Sequence, residues 1–496
     1  MHAVQRPGPP ITVSAVEVDA GSRRPPREGA GSGEPPPWRT RCVLITRKAD
    51  DPCQRRGPAA LSLGPVPVEP QGVDHVATPE PSASTAPNSR PSFRRTLANR
   101  PFLFVWVAQL ISQSGDFIFE VALLWLVLAI TGSAFAVGLV VTGTILPAVL
   151  LGPILGVYVD RWNRRRTLMI TNVVEGITVA GLSVLVLTGR VDLVGLLAVV
   201  FALGTGATLV RTATNAYVPS VVSVDDLPPA NSLLQFSGSF NQIIGLSLGG
   251  VFVAAFGIAL PIEYDALSFF AAAVLLTLIP RDPTSAVRSP APPPQSFRTE
   301  LAEGFAFVRR NRFMIELIAL GMIVNFFGNG LAALLPPFAK FVLHGGPAVF
   351  GLLGAAIAVG SLVAGLAMGR VDTHRTAGKY LFGGGVVLGL GVLAVGFTTT
   401  FPLAVGAMLL IGATLSVVNI PIGVVFQAKV PRPLLGRVGA TFGAMISATS
   451  PLGPLFAGWL AEQWTTPDVF ILSGAVIAGV IGVGAFTMPA LRRVEY

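Results

Sequence analysis

From Phe102 onward the chain is a succession of long apolar runs broken by short polar ones. An α-helix rises about 1.5 Å per residue, so a run of about twenty apolar residues crosses the roughly 30 Å hydrocarbon layer of a bilayer. Runs near that length lie at about 102–130, 136–158, 167–187, 191–211, 233–256, 260–279, 313–341, 349–368, 378–397, 401–425, 438–460 and 469–488, which predicts roughly twelve spanning helices. Helices are expected because a backbone in lipid must satisfy its own hydrogen bonds. The first 92 residues differ: they are rich in Pro, Arg, Ser and Gly and hold no run long enough for a signal peptide or a span. They read as a disordered tail, although a start assigned too far upstream would read the same way.

The positions of arginine and lysine orient the runs. Alternate loops carry Arg161, Arg164, Arg165 and Arg166; then Arg281, Arg288, Arg298, Arg309, Arg310 and Arg312; then Arg370, Arg375 and Lys379; then Lys429, Arg432 and Arg437. The intervening loops hold little beyond Arg190 and Lys340. Positive loops stay in the cytoplasm. Arg94, Arg95 and Arg100 before the first run and Arg492 and Arg493 after the last then place both termini inside, which requires an even number of crossings.

The long loop between the sixth and seventh runs divides the chain into a tail (1–95), a first six-helix bundle (96–280), a linker (281–311), a second bundle (312–490) and a short C-terminus (491–496). Within the linker, Phe297, Leu301, Phe305 and Val308 share one face of a short amphipathic helix. The halves also resemble one another. Gly206-Ala207-Thr208 is repeated as Gly412-Ala413-Thr414, and Gly245 to Gly250 has a counterpart in Gly453-Pro454 to Gly458, at nearly one offset.

Composition agrees with lipid as the solvent. The chain is 52% hydrophobic and 12% charged, where a soluble domain carries about 25% charged residues. Its net charge of +9 would elsewhere point to nucleic acid, but the basic residues sit in short loops and the tail, so no nucleic-acid partner is expected. Cys42 and Cys53 both lie in the tail without CxxC spacing, and His2, His75, His344 and His374 are scattered, so neither a metal nor a cofactor is expected. No GxxxxGK[ST] loop is present to hold a nucleotide, and no nucleophile, histidine and acid stand together as an enzyme would need. Arginine outnumbers lysine and Ala, Gly, Val and Pro dominate, which points to a GC-rich bacterial genome.

Polar residues inside the runs are the candidate site. Gln109, Gln113, Asp116 and Glu120 follow at spacings that put them on one face of the first span. Ionisable groups at such depth cost several kcal/mol unless they meet a cavity or a partner. An acid that gains and loses a proton there would couple proton entry to substrate exit; the plainer reading is a structural acid paired to another helix. Of the two acids Asp116 is favoured, since Glu120 lies nearer the outer end. Glu175 in the third span is a second candidate. Asn325 and Asn329, one turn apart in the seventh span, and Asn419 in the tenth either bond substrate or glue helices together.

The loop after the second span reads Gly156-Val-Tyr-Val-Asp160-Arg161-Trp-Asn-Arg164-Arg165-Arg166. It resembles the GxxxDRxxRR signature of the major facilitator superfamily, and the resemblance runs from about Asn99 to Arg493. The second half keeps a worn copy, Gly365-Leu-Ala-Met-Gly369-Arg370, without the aspartate. The resemblance implies an all-α membrane protein of two pseudo-symmetric six-helix bundles, alternating in access to a central cavity. It implies further that Gly156, Asp160, Arg161, Arg164 and Arg165 form a conformational latch, with Asp160 meeting the start of the eleventh span near Gly436 and Arg211 as its ionic neighbour. A positive loop that merely fixes topology would explain the arginines but not Gly156 and Asp160 together.

Asp116, preceded by Ser112, Gln113 and Gly115, is similar to the polar first helix of the macrolide-efflux and siderophore-exporter branch. Gly245, Gly249 and Gly250 resemble the fifth-helix glycine motif of antiporters, with Leu246 where that motif has proline, while Gly453, Pro454 and Gly458 keep the proline in the second half. Small residues that simply pack two helices would look alike. The expected function is therefore proton-coupled export of a hydrophobic drug, macrolide-like antibiotic or siderophore by a monomer in a bacterial cell membrane. Nutrient uptake and a non-transporting sensor with a degenerate transporter fold are the alternatives.

Overall fold

The computed structural model describes residues 93–279, 297–371 and 376–492. The expected disordered tail lies outside the described residues, as does most of the linker.

Short polar residues start the spans. The side chains of Asn99, Ser133, Asn163, Asp192 and Asn311 each accept a backbone N–H from the first turn of the helix that follows, and Thr465 forms a reciprocal pair with Asp468. Each bond satisfies a donor that the helix itself leaves orphaned. Gly132, at φ 66°, ends the first span in the left-handed conformation that glycine adopts without strain.

The first half comprises α1 (Phe93–Ala98), α2 (Arg100–Thr131), α3 (Ala134–Arg161), α4 (Arg164–Leu187), α5 (Leu193–Val221), α6 (Leu227–Phe256) and α7 (Ala259–Thr277). The linker contributes α8 (Phe297–Arg310). The second half comprises α9 (Arg312–Pro337), α10 (Pro347–Met368), α11 (Ala377–Phe397), α12 (Phe401–Lys429), α13 (Leu435–Ser447), α14 (Leu452–Gln463), α15 (Thr466–Thr487) and α16 (Pro489–Arg492). Among the described residues, 11 helices are long and apolar enough to cross a bilayer.

The place of the remaining span is taken by α13 and α14 together, which corrects the continuous eleventh helix expected at 438–460. Pro451 explains the break. It has no N–H to offer the carbonyl of Ser447, and it disfavours helical geometry at Ser450. The chain closes instead through tight turns, with Ser450 N–H donating to Ser447 at 3.0 Å and Leu452 N–H to Thr449 at 3.1 Å. The fourth span also differs from expectation: α5 continues ten residues past Arg211 to Val221. A charge at the edge of an apolar run marks the edge of the lipid, not the end of the helix.

Within the first bundle α2 packs on α6 and α7, α4 on α5 and α7, and α3 on α5; the second bundle repeats the plan with α9 on α14, α11 on α12 and α15, and α10 on α12. The bundles are joined chiefly by α3 with α14 and by α6 with α10, pairings that the pseudo-two-fold relation of the halves exchanges. At these crossings backbones come very close. A Cβ added at Gly138 would strike the Pro454 carbonyl, one at Gly458 would lie 2.6 Å from the Ala134 carbonyl, and one at Gly250 would lie 2.6 Å from that of Pro347.

Those contacts gather toward the arginine-poor end, where the Ser133 hydroxyl and, at 3.3 Å, the Phe135 N–H both donate to Glu462. At the opposite end Ile154, Val157 and Tyr158 of α3 and Phe236 and Phe240 of α6 are exposed, and Gly156 and Gly436 each border open space. The bundles are thus joined at the arginine-poor end and parted at the arginine-rich one.

Candidate functional site

The polar face of α2 is continuous. Gln113 Nε2 donates to Gln109 Oε1 at 3.1 Å, and Gln109 Nε2 passes the chain to Thr214 Oγ1 of α5 at 3.2 Å. One and two turns further along this face, Asp116 and Glu120 are exposed within the protein's own surface, not packed into a neighbour.

Behind α2 lie two more acids. Asp265 of α7 is 0% exposed, and Glu175 of α4 is 4% exposed. Glycines make room for both: a Cβ at Gly115 would sit on Asp265 Oδ1 and Ser268 Oγ, and one at Gly206 would sit on Glu175. Asp265 thus packs beside Asp116's neighbour on α2, while Glu175 of α4 turns to α5. None of the three takes part in the ion pairs found among the described residues, which join Arg95 to Asp226, Arg312 to Glu316 and Arg437 to Glu303. Asp265 Oδ2 is buried without a hydrogen-bond partner.

Sequence reasoning missed Asp265. Its signal was an acid in the middle of the sixth apolar run, the same signal that marked Glu175.

In the second bundle, amides and hydroxyls gather at the break in the eleventh span. Asn329 Nδ2 donates to Asn325 Oδ1 at 2.9 Å and to the Asn325 carbonyl at 2.8 Å, and Ser450 Oγ donates to Asn325 Oδ1. Thr449 Oγ1 reaches the Met322 carbonyl at 3.2 Å. From the other bundle, buried Thr142 donates to the Pro451 carbonyl at 2.8 Å. The first bundle thereby satisfies the Pro451 carbonyl, the tight turn satisfies that of Ser447, and the break's own hydroxyls tie it to α9. Asn419 stands apart: it is exposed and bonds only the Leu415 carbonyl of its own helix.

The loop residues are dispersed. Arg165 does not reach toward α13. Its Nε donates to the Leu276 carbonyl at 3.0 Å and its guanidinium to that of Thr277 at 2.7 Å, capping the end of α7, where a cation suits both the orphaned carbonyls and the helix dipole. Arg161 and Arg211 are exposed and Arg164 is half-buried. The Asp160 side chain lies outside the described residues. A Cβ added at Gly156 or at Gly436 would meet nothing within 4 Å.

The glycine motifs are interfaces. A Cβ at Gly245 would be 2.6 Å from Phe117 and one at Gly249 2.9 Å from the Ile118 carbonyl, both on α2, while Gly250 faces α10. Gly453 presses on the Phe326 carbonyl of α9, and Pro454 and Gly458 on α3.

Comparison with known proteins follows the same lines. The sequence is 25% identical over 410 residues to the multidrug efflux pump Tap of Mycolicibacterium fortuitum, covering 80% of this chain and 97% of that protein. It is 22% identical to macrolide efflux protein A of Streptococcus pyogenes, covering 76% and 93%. The structure resembles that of the nucleoside transporter NupG (TM-score 0.62, 16% identity, 79% of this chain and 98% of that one). It also resembles a D-xylose–proton symporter (TM-score 0.60, 16% identity, 79% and 97%). A family model described as transmembrane secretion effector matches residues 93–495. This chain, a multi-pass membrane protein with bacterial relatives, therefore belongs to the transmembrane secretion effector family of major facilitator transporters, which are not enzymes.

Proposed function

We propose that the protein exports a hydrophobic compound, of the kind represented by drugs, macrolide-like antibiotics or siderophores, in exchange for protons. The observation that carries this reading is that Asp116, Glu175 and Asp265, all within the spans of the first bundle, have no counter-cation among the described residues. A carboxyl group at that depth is costly to ionise alone. Proton uptake and release at these acids change their charge, and with it the balance between the two ways the bundles can lean. The printed names of the relatives, a multidrug efflux pump and a macrolide efflux protein, favour export over uptake.

In this reading Asp116 and Glu120 face the path and Gln109 and Gln113 bond the cargo from the first bundle. Asn325, Asn329 and Asn419 present amides from the second. Gly156, Asp160, Arg161, Arg164 and Arg211 close on α13 in the opposite conformation, while Gly245, Gly249, Gly250, Gly453, Pro454 and Gly458 are the close-packed seams. The protein works as a monomer with both termini in the cytoplasm.

The test is an efflux assay in a host lacking its own exporters. The chain should lower accumulation of at least one lipophilic dye or antibiotic, and collapse of the proton gradient should restore it. Accumulation unaffected by the chain under any gradient would refute export.

A further inference from the structure

The transport site leaves unused a group of cations at the arginine-rich end. Helix α8 is fixed by one face: Gly304 presses on Thr441 and the Arg437 carbonyl of α13, Val308 is 3% exposed in a cluster with Val430, Val438 and Leu434, and Glu303 pairs with Arg437. The neighbouring face is open. Phe305 is 51% exposed, and Arg309, one turn further on, is exposed beside it; Arg310 is exposed on another side of the helix. The side chains of Phe297 and Leu301, expected on the face of Phe305 and Val308, lie outside the described residues.

The cluster that buries Val308 also anchors the turn between α12 and α13, which brings exposed Lys429 and Arg432 to its border. The nearby described acids, Glu303 and Glu316, are already engaged by Arg437 and Arg312. Among the described residues Arg309, Arg310, Lys429 and Arg432 take part in no ion pair, and they stand exposed on α8 and on the turn that it packs against. Only Asn311 separates Arg310 from the start of the seventh span, so the group stands where spanning helix gives way to polar chain.

We propose that this patch binds the headgroups of anionic phospholipid, with Phe305 seated among the acyl chains. Clustered Arg and Lys beside a span attract anionic headgroups, guanidinium pairs well with phosphate, and aromatic rings favour the interface. Loops that only fix topology need positive charge, but they need no exposed phenylalanine one helical turn from an arginine on a helix held down by its neighbouring face. Because α8 grips α13, on the free side of the break at Ser447–Pro451, lipid held here bears directly on the part of the eleventh span that is uncoupled from α14.

The experiment uses the full chain purified in detergent and offered phosphatidylglycerol, phosphatidylcholine or inorganic phosphate, with retained lipid counted by native mass spectrometry. Wild type should retain phosphatidylglycerol in preference to phosphatidylcholine, and free phosphate should not displace it. Replacing both arginines (R309Q/R310Q) should weaken retention roughly thirtyfold, and R309K/R310K should restore most of it. F305S, which leaves every charge in place, should also weaken it and serves if the glutamine variant fails to fold. Equal retention of the two lipids by wild type, displacement by phosphate, or retention unchanged in both R309Q/R310Q and F305S would overturn the proposal.

Discussion

Asp265 and Gly115 show how tightly side-chain chemistry and helix packing are bound together here. The carboxyl of Asp265 fits only because its neighbour on α2 has no side chain. Replacing Gly115 with Ala forces Asp265 and Ser268 aside, and an overpacked core loses about 1–3 kcal/mol, so the thermal midpoint of the purified protein should fall and export with it. Asp116→Asn keeps the shape of the side chain and removes its titration. Export should be abolished while membrane insertion and folded yield stay as in wild type; export at wild-type rates would remove Asp116 from the mechanism. The one-face arrangement of Gln109, Gln113, Asp116 and Glu120 was legible from spacing alone, since helical periodicity dictates it. The packing of Asp265 against Gly115 was not, because it depends on which face of α7 turns toward α2, and no local pattern fixes that rotation.

At the scale of elements, the eleventh span is the clearest case of a single residue deciding geometry. A run of apolar residues predicts a span but not its continuity, and Pro451 was passed over because the hydropathy around it is unbroken. Proline inside a helix costs about 3 kcal/mol, so Pro451→Ala should favour a continuous helix. The expected result is a raised thermal midpoint together with slowed export, as α13 becomes stiffly joined to α14. Faster or unchanged export in a stabilised variant would argue against the break as a working part. The loop arginines were read as a latch from their resemblance to a signature, yet Arg165 is bonded to the end of α7. Its replacement by Ala should lower stability by about 1 kcal/mol, measured by thermal unfolding, in the conformation described here.

For the whole molecule, number of spans, division into two bundles and relation between the halves were all visible in run length, arginine alternation and the repeated glycine motifs. Which end of the contact between the bundles is shut was invisible, because it is a choice between two states of one sequence. At the closed end the ideal Cβ of Gly458 lies 3.0 Å from Phe135 Cα. With Cys42 and Cys53 replaced by Ser, cysteines in place of Ser133 and Glu462, which bond across this end without crowding it, should be joined by a short cleavable thiol cross-linker that stops export, and cleavage should release it again.

The most direct test of proton-driven alternation needs no knowledge of the cargo. Spin labels at Gly156 and Gly436 report the separation of α3 from α13 at the arginine-rich end, and their distance distribution can be followed as pH is varied. Wild type should shift between a long and a short population, whereas a variant carrying Asp116→Asn, Glu175→Gln and Asp265→Asn should keep one distribution at every pH. A wild-type distribution indifferent to pH, or a triple variant that shifts as wild type does, would contradict the account.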